Sequence, residues 1–351
     1  MRTSSIKTLT VSLILLVYFF GFEIRINAQE AIDKPYCDLF DINHPFEMDL
    51  IFDIKGFVKN KYEDTYVDAK IAYNKEDGTR LEKNVRIRPR GHMRKQICHL
   101  PPIRIDFNDE DYELDLFDDF GKMKLAMTCK AGASSEQHLI KEYLAYKMYE
   151  ILTEVSFTTY FLKVNLIDSQ GKKKPSSSYS FIIEDIDRVA ERNNAVEIEN
   201  QGILLDHLDR PTMNIFAMYQ YLISNTDWYI PNLHNVKMIK SLDHKQPLPK
   251  PIPYDLDYCG LVHTNYSVPR EGIPIKSVTE RYWQGNCLDD SEYESVSNLF
   301  LEKKDEIYRI WQECEFLDKF NKNSGIKFID QFYQLIEKGN QAKYAIMTNC
   351  R

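Results

Sequence analysis

Apolar and polar residues alternate over short runs in the first third of the chain. From Phe46 to Phe107 four β-prone stretches (Phe46 to Val58, Tyr66 to Tyr73, Leu81 to Arg88 and Pro102 to Phe107) are separated by turn-forming residues. In Val85-Arg86-Ile87-Arg88 and Ile103-Arg104-Ile105-Asp106-Phe107 every second residue is apolar, the signature of a strand with one buried face. Glu76-Asp77-Gly78-Thr79 supplies a hairpin turn, Asn108 to Asp119 an acidic loop, and Lys122 to Met127 a further strand. The period then changes. Leu139, Ile140, Tyr143, Leu144, Met148, Ile151 and Leu152 recur at helical spacing, and Ser134 with Gln137 predicts a capped helix start. Phe157 to Ile167 and Tyr179 to Glu184 read as strands around a loop rich in Lys and Ser. Helices are predicted over Pro211 to Ser224, Ser291 to Phe316 and Ser324 to Lys338. This order predicts an α+β protein with a strand-rich N-terminal lobe over residues 29–185 and a mostly helical C-terminal lobe over 186–351.

The opening residues carry an address. Arg2 and Lys7 precede an almost wholly apolar run from Leu9 to Phe22, and a polar segment ending in Ala28 follows. That order predicts a secretory signal peptide over residues 1–28; the run is short of the ~20 residues a membrane span needs. The full chain has 45 Lys+Arg against 53 Asp+Glu, a formal charge of −8; removing Arg2, Lys7, Arg25 and Glu23 makes it −10. An acidic chain is a poor fit for charge-driven nucleic-acid binding, so no nucleic-acid partner is expected. Seven cysteines allow disulfides in an exporting compartment, yet none has the C-x-x-C spacing of a zinc or thioredoxin-type site. Buried thiols with one or two bridges are expected. G-x-S-x-G and H-E-x-x-H are both missing, which leaves the common hydrolase classes unsupported.

One constellation carries chemistry. Ser224 to Asn235 follows a predicted helix and combines Asp227 with Asn225, Asn232, His234 and Asn235, and a second acidic cluster, Asp255 and Asp257, lies in Pro253-Tyr254-Asp255-Leu256-Asp257-Tyr258-Cys259-Gly260. Oxygen ligands of this kind suit Mg or Mn, and a neighbouring metal-free carboxylate suits a hydroxyl-orienting base. Taken alone, an Asp and an Asn after a helix also serve as ordinary turn and capping residues.

Asp227-x-x-x-x-Asn232 followed by the Asp cluster resembles the catalytic loop and metal-binding Asp of atypical protein kinases, the HipA-type and spore-coat CotH-type families. Val85-Arg86-Ile87-Arg88-Pro89-Arg90-Gly91, Pro102 to Phe107 and Phe181-Ile182-Ile183-Glu184-Asp185-Ile186-Asp187 are similar to CotH-type segments, so that the likeness runs from about Val85 to Gly260. The resemblance implies a two-lobed kinase-like fold and transfer of a nucleotide γ-phosphate, with ATP and Mg or Mn, to a protein or glycan hydroxyl. It implies Asp227 as base, Asn232 and either Asp255 or Asp257 on the metal, Lys124 on the phosphates, Glu142 as its ion-pair partner, and Glu184 at the adenine-facing hinge. No G-x-G-x-x-G is present; Arg88 and Arg90 around Gly91 are the candidate substitutes. Two other readings stay open: a catalytically inactive surface binding module of the same fold, and a surface carbohydrate-binding protein whose Asp cluster holds calcium.

Overall fold

The computed structural model describes residues 45–75, 77–107, 121–130, 132–245, 247–348 and 350. The expected signal peptide, Cys37 and the acidic loop Asn108 to Asp119 lie outside them. The first described strand, β1 (Phe46–Phe52), is shorter than its apolar run because Asp53 caps a helix, accepting the Gly56 amide at 2.9 Å and starting α1 (Ile54–Lys59). β2 (Val67–Asn74) and β3 (Arg80–Pro89) form the expected hairpin, with Gly78 at φ 82° and Asp77 accepting the Thr79 amide. Between β3 and β4 (Ile103–Asp106) lies a short helix that the pattern did not announce, α2 (His92–Ile97). β5 (Lys122–Met127) leads into α3 (Ala133–Leu152), and β6 (Thr159–Asp168) and β7 (Ser176–Ile183) follow as an antiparallel pair.

The expected two-lobed kinase-like architecture is not the one formed. β1 runs parallel to β6 over its whole length, from Phe46 opposite Leu162 to Phe52 opposite Asp168, and the seven strands close in the order β1-β2-β3-β4-β5-β7-β6. A strand-rich lobe built on an open sheet would leave two unpaired edges; the parallel β1–β6 seam removes both. The second half is not merely helical either. After α4 (Ile186–Arg192), β8 (Ala195–Glu197) pairs with β9 (Val236–Ser241), which pairs with β10 (Pro249–Pro253) in a three-stranded antiparallel sheet. α5 (Arg210–Leu222) lies between β8 and β9 in sequence. β10 reads Pro-Lys-Pro-Ile-Pro, and its prolines disguise it as a loop; alternate residues lacking N–H donors are tolerated because β10 is an edge strand.

The remaining chain is helical: α6 (Asp290–Glu302), α7 (Lys304–Glu313), α8 (Lys319–Ile336) and α9 (Asn340–Ile346). The single helix expected from Ser291 to Phe316 is broken at Lys303, and Asp318 starts α8 ahead of its expected position by accepting the Asn321 amide. The long helix α3 lacks the expected Ser134 cap. Gln137 instead crosses to the α7–α8 link, donating to Phe316 O and accepting from Asp318 N at 2.9 Å each.

α3 holds the two apolar regions apart. Inside the barrel, Leu50, Ile71, Ile87, Ile103, Ile105, Leu125, Leu162 and Ile182 are inaccessible to solvent. The opposite faces of β5, β6 and β7 present Ala126, Phe161 and Phe181 to α3, with Tyr143 5.1 Å from Phe161 and 5.9 Å from Phe181 between ring centres. α3 is consequently buried on several sides, not on the single stripe its spacing suggested. Disulfides Cys98–Cys129 and Cys287–Cys350 and buried thiols at Cys259 and Cys314 account for the cysteines among the described residues.

Because β1 closes the barrel, Leu50→Ala is expected to cost about 2–5 kcal/mol. Val196→Ala, at a 48% exposed position, should cost within ~0.5 kcal/mol. Denaturant unfolding of both variants checks this.

Candidate functional site

α2, α3 and the β10 exit meet at one buried cluster of charges. Glu142, on α3, and Asp255 and Asp257, at the 3₁₀ turn Leu256–Tyr258, bring carboxylate oxygens within 4.8 Å of one another. Arg94 of α2 lies among them: its Nη2 donates to Glu142 at 2.9 and 3.1 Å and to Asp255 at 3.3 Å, and its Nε donates to Asp257 at 2.9 Å. Tyr266 donates its hydroxyl to Asp257 at 2.6 Å, and Tyr146, one turn along α3 from Glu142, accepts the Asp255 amide at 2.9 Å. Asp255 itself sits at φ 55°, a left-handed conformation that Asp tolerates better than most residues.

Three carboxylates around one guanidinium leave a surplus of negative charge in a low-dielectric place. The three anions hold Arg94 well above its ordinary pKa against the opposing effect of burial. Glu142 is pushed up, first by burial and then by Asp257 and Asp255, with Arg94 working in the other direction. Asp255 is likewise raised, by burial and by Asp257, with a further push from Asp227. The metal-free cluster thus takes up a proton, or else it needs another cation. Asp255 is the accessible member, its side chain 36% exposed against 5% for Glu142 and 6% for Asp257.

Asp227 stands at the edge of this cluster. One of its oxygens lies 2.9 Å from His234 Nε2, the other accepts from Asn235 Nδ2 at 2.9 Å, and Asn235 also donates to the Asp227 carbonyl at 2.8 Å. Asn232 behaves differently. It is exposed, and its side-chain oxygen accepts the His234 amide at 3.1 Å, which is a local turn contact. Asn235, immediately before β9, has a backbone oxygen that accepts the Tyr254 amide, so it neighbours Asp255 across the sheet. The structure therefore brings Asp255 and Asp257 together with Glu142, sets Asp227 near enough for its charge to be felt by Asp255, and puts Asn235, not Asn232, against Asp227. Spacing alone pointed to Asn232. The signal that singles out Asn235 is its position directly before a strand.

The basic residues line an adjoining wall. Arg88, Arg104 and Lys124 are direct cross-strand partners on β3, β4 and β5, all on the face opposite the barrel interior. Like charges in such a row destabilise a sheet, and each is partly offset here. Arg104 pairs with Asp185 at 3.0 Å and Arg88 lies 3.6 Å from Asp64. Lys124 has no ion pair among the described residues; its ammonium lies 5.1 Å from the Tyr254 ring centre and 5.5 Å from that of Phe157. Burial lowers Lys124 to about 8, so it is a cation at pH 7. Arg90 bonds to the Tyr254 hydroxyl, and its charge is felt by both Lys124 and Asp255. Tyr254 therefore separates the basic wall from the carboxylate cluster.

Two expected roles are not what the structure displays. The ion-pair partner of Glu142 is Arg94, not Lys124, because α2 inserts between β3 and β4 and delivers Arg94 to α3. Glu184 is a buried anchor: it pairs with Arg192 at 2.6 Å and accepts the Thr158 amide. Arg94 and Arg104 were missed as site residues. Arg94 was hidden in a helix too short to read from periodicity, and strand alternation alone does not mark Arg104 out from other outward-facing charges. Trp228, beside Asp227, is a core residue packed edge-on against Phe216 at 5.0 Å. No helix among the described residues is long and apolar enough to cross a membrane. No protein-family model matches this chain, and no curated protein matches it.

The raised Glu142 carboxyl has a pH signature in the metal-free protein. A group with a folded pKa above its ordinary 4.5 contributes stability that is lost as pH rises from that value through the folded one. Relative to Glu142→Gln, the parent protein is expected to lose about 1.4 kcal/mol for each unit by which the pKa is raised. Thermal unfolding of both proteins in chelator between pH 5 and pH 8 measures the difference.

Proposed function

We propose that the protein is an exported, divalent-cation-dependent phosphotransferase that moves a nucleotide γ-phosphate to a protein or glycan hydroxyl. The reading rests on the chemistry of the site and not on the architecture around it. The observation that carries it is the juxtaposition, across Tyr254, of an anion-rich cluster and a cation-rich wall: surplus carboxylates suited to a hard metal beside a ladder of Arg and Lys suited to phosphates. The donor set fits Mg or Mn, since Asp255 is the accessible carboxylate of an under-neutralised group and the cluster offers only hard oxygen ligands. Asp255 and Asp257, with Asn235 nearby, would hold the ion, which would neutralise phosphate charge when bound.

The chain's own residues have separable tasks. Arg88, Arg90, Arg104 and Lys124 draw in and orient the phosphates, with ATP as the first nucleotide to test. Asp227, fixed by Asn235 and His234, orients the acceptor hydroxyl and takes its proton. Arg94 and Glu142 hold the metal-binding loop against α3. Disulfides at Cys98–Cys129 and Cys287–Cys350 support export to an oxidising compartment. A second reading, a binding module without turnover, is favoured by one observation: Arg94 already occupies the centre of the carboxylates.

Label transfer from γ-labelled ATP by the full-length mature protein, with Mg, Mn or Ca, separates these readings. Transfer with Mg or Mn is expected, abolished in the Asp255→Ala/Asp257→Ala double variant and reduced at least ~100-fold in Asp227→Ala. Nucleotide-dependent stabilisation without transfer supports the binding module, while stabilisation by calcium alone with ATP inert contradicts both. Asn235→Ala is expected to lower transfer far more than Asn232→Ala in the same assay, and equal effects would return the metal-side role to Asn232.

A further inference from the structure

Next to the carboxylate cluster, toward the start of α3, lies a second pocket of about 610 Å³, open to solvent, between the first turns of α3 and α8 and the loop from His263 to Ser267. Its titratable lining is Lys141, His138, His263 and Asp318, and burial, with Lys141 nearby, lowers His138 to about 4. Lys141 is only 6% exposed, yet it has no ion pair or hydrogen bond among the described residues. Its stem is buried while its ammonium reaches the pocket, where water or a ligand supplies the acceptor. Burial lowers Lys141 to about 8, so it keeps its charge at pH 7.

The surroundings add donors. α3 starts at Gly132 with no side-chain cap, which leaves its first amides toward the pocket mouth, where Ala133 and Ser134 are lining residues. Asp318 is the one acid in the lining, and it is engaged, accepting from the Asn321 amide at 2.7 Å and the Asn321 side chain at 2.9 Å. Phe320, 79% exposed, forms an apolar rim.

From the unpaired buried Lys141, the uncapped helix start and the two histidines, we infer that this pocket binds a phosphate group, free or carried on a small organic ester. Lys141 is the charged anchor, the α3 amides and Ser134 are neutral donors, His138 and His263 are further donors, and Phe320 supports the organic part of an ester. The volume exceeds what a bare phosphate needs, which favours the ester. This site does not depend on the metal-binding reading, because it uses none of Asp227, Asp255 or Asp257.

Calorimetric titration of the mature protein at pH 7 in chelator, with inorganic phosphate and separately with phenyl phosphate, tests it. Saturable binding of at least one is expected, with affinity reduced roughly tenfold or more in Lys141→Met, which keeps side-chain length but removes the charge. Should Lys141→Met not fold, His263→Asn gives the second reading: Asn accepts the φ of 53° found there, and weaker binding is again expected. Phe320→Ala should weaken phenyl phosphate and leave inorganic phosphate unchanged. Asp255→Asn should leave both affinities unchanged, which separates this site from the carboxylate cluster. Absence of saturable binding of either probe, or unchanged affinity in the Lys141 or His263 variant, overturns the proposal.

Discussion

Arg94 is the contact on which the functional architecture depends. It joins α2, inserted between two barrel strands, to α3 and to the turn after β10, and three carboxylates rely on its one charge. Removing it would leave Glu142 and Asp257 buried, close together and without their shared guanidinium, which is far costlier than the gain from forming any one of these pairs. The same arrangement explains why the cluster is unfinished. One guanidinium fixes the positions of three anions but cannot neutralise them, so the structure holds a shaped, negative, half-open place beside Asp255.

The barrel and α3 supply the rigidity that this demands. α3 is buried against β6 and β7 on one side and against α7 on another, so Glu142 and Tyr146 project from a backbone with little freedom to relax. The parallel β1–β6 seam closes the sheet beneath it, and β5 carries Lys124 on the face turned toward Tyr254. Asp255 and Asn235 flank the β9–β10 pair in left-handed conformations, φ 55° and 51°, a local cost accepted where side chains must be aimed and not where they merely pack.

Much of the local structure was legible in the sequence, and the global arrangement was not. β-prone runs placed β2, β3, β4 and β5 to within a residue or two, and alternation marked β3 and β4, which have one face in the barrel and one outside. The closure was hidden. Nothing in Phe46 to Phe52 states that its partner lies more than a hundred residues away and runs parallel. β10 was hidden by its prolines, and α2 by having fewer than two turns. At the site, Asp255 and Asp257 lie two residues apart in sequence and stay close in space. Arg94 and Arg104 were missed, since their roles come from tertiary contacts with α3 and from cross-strand register. The Lys124–Glu142 pairing failed for the same reason: a nearer arginine took the glutamate.

Manganese binding followed by electron paramagnetic resonance decides whether the carboxylates around Arg94 form a divalent-cation site. One saturable Mn site per mature chain is expected at pH 7, lost in Asp255→Asn/Asp257→Asn and retained in Lys124→Met. Failure of the protein to bind Mn, or binding that survives the double substitution, would contradict a cation site there.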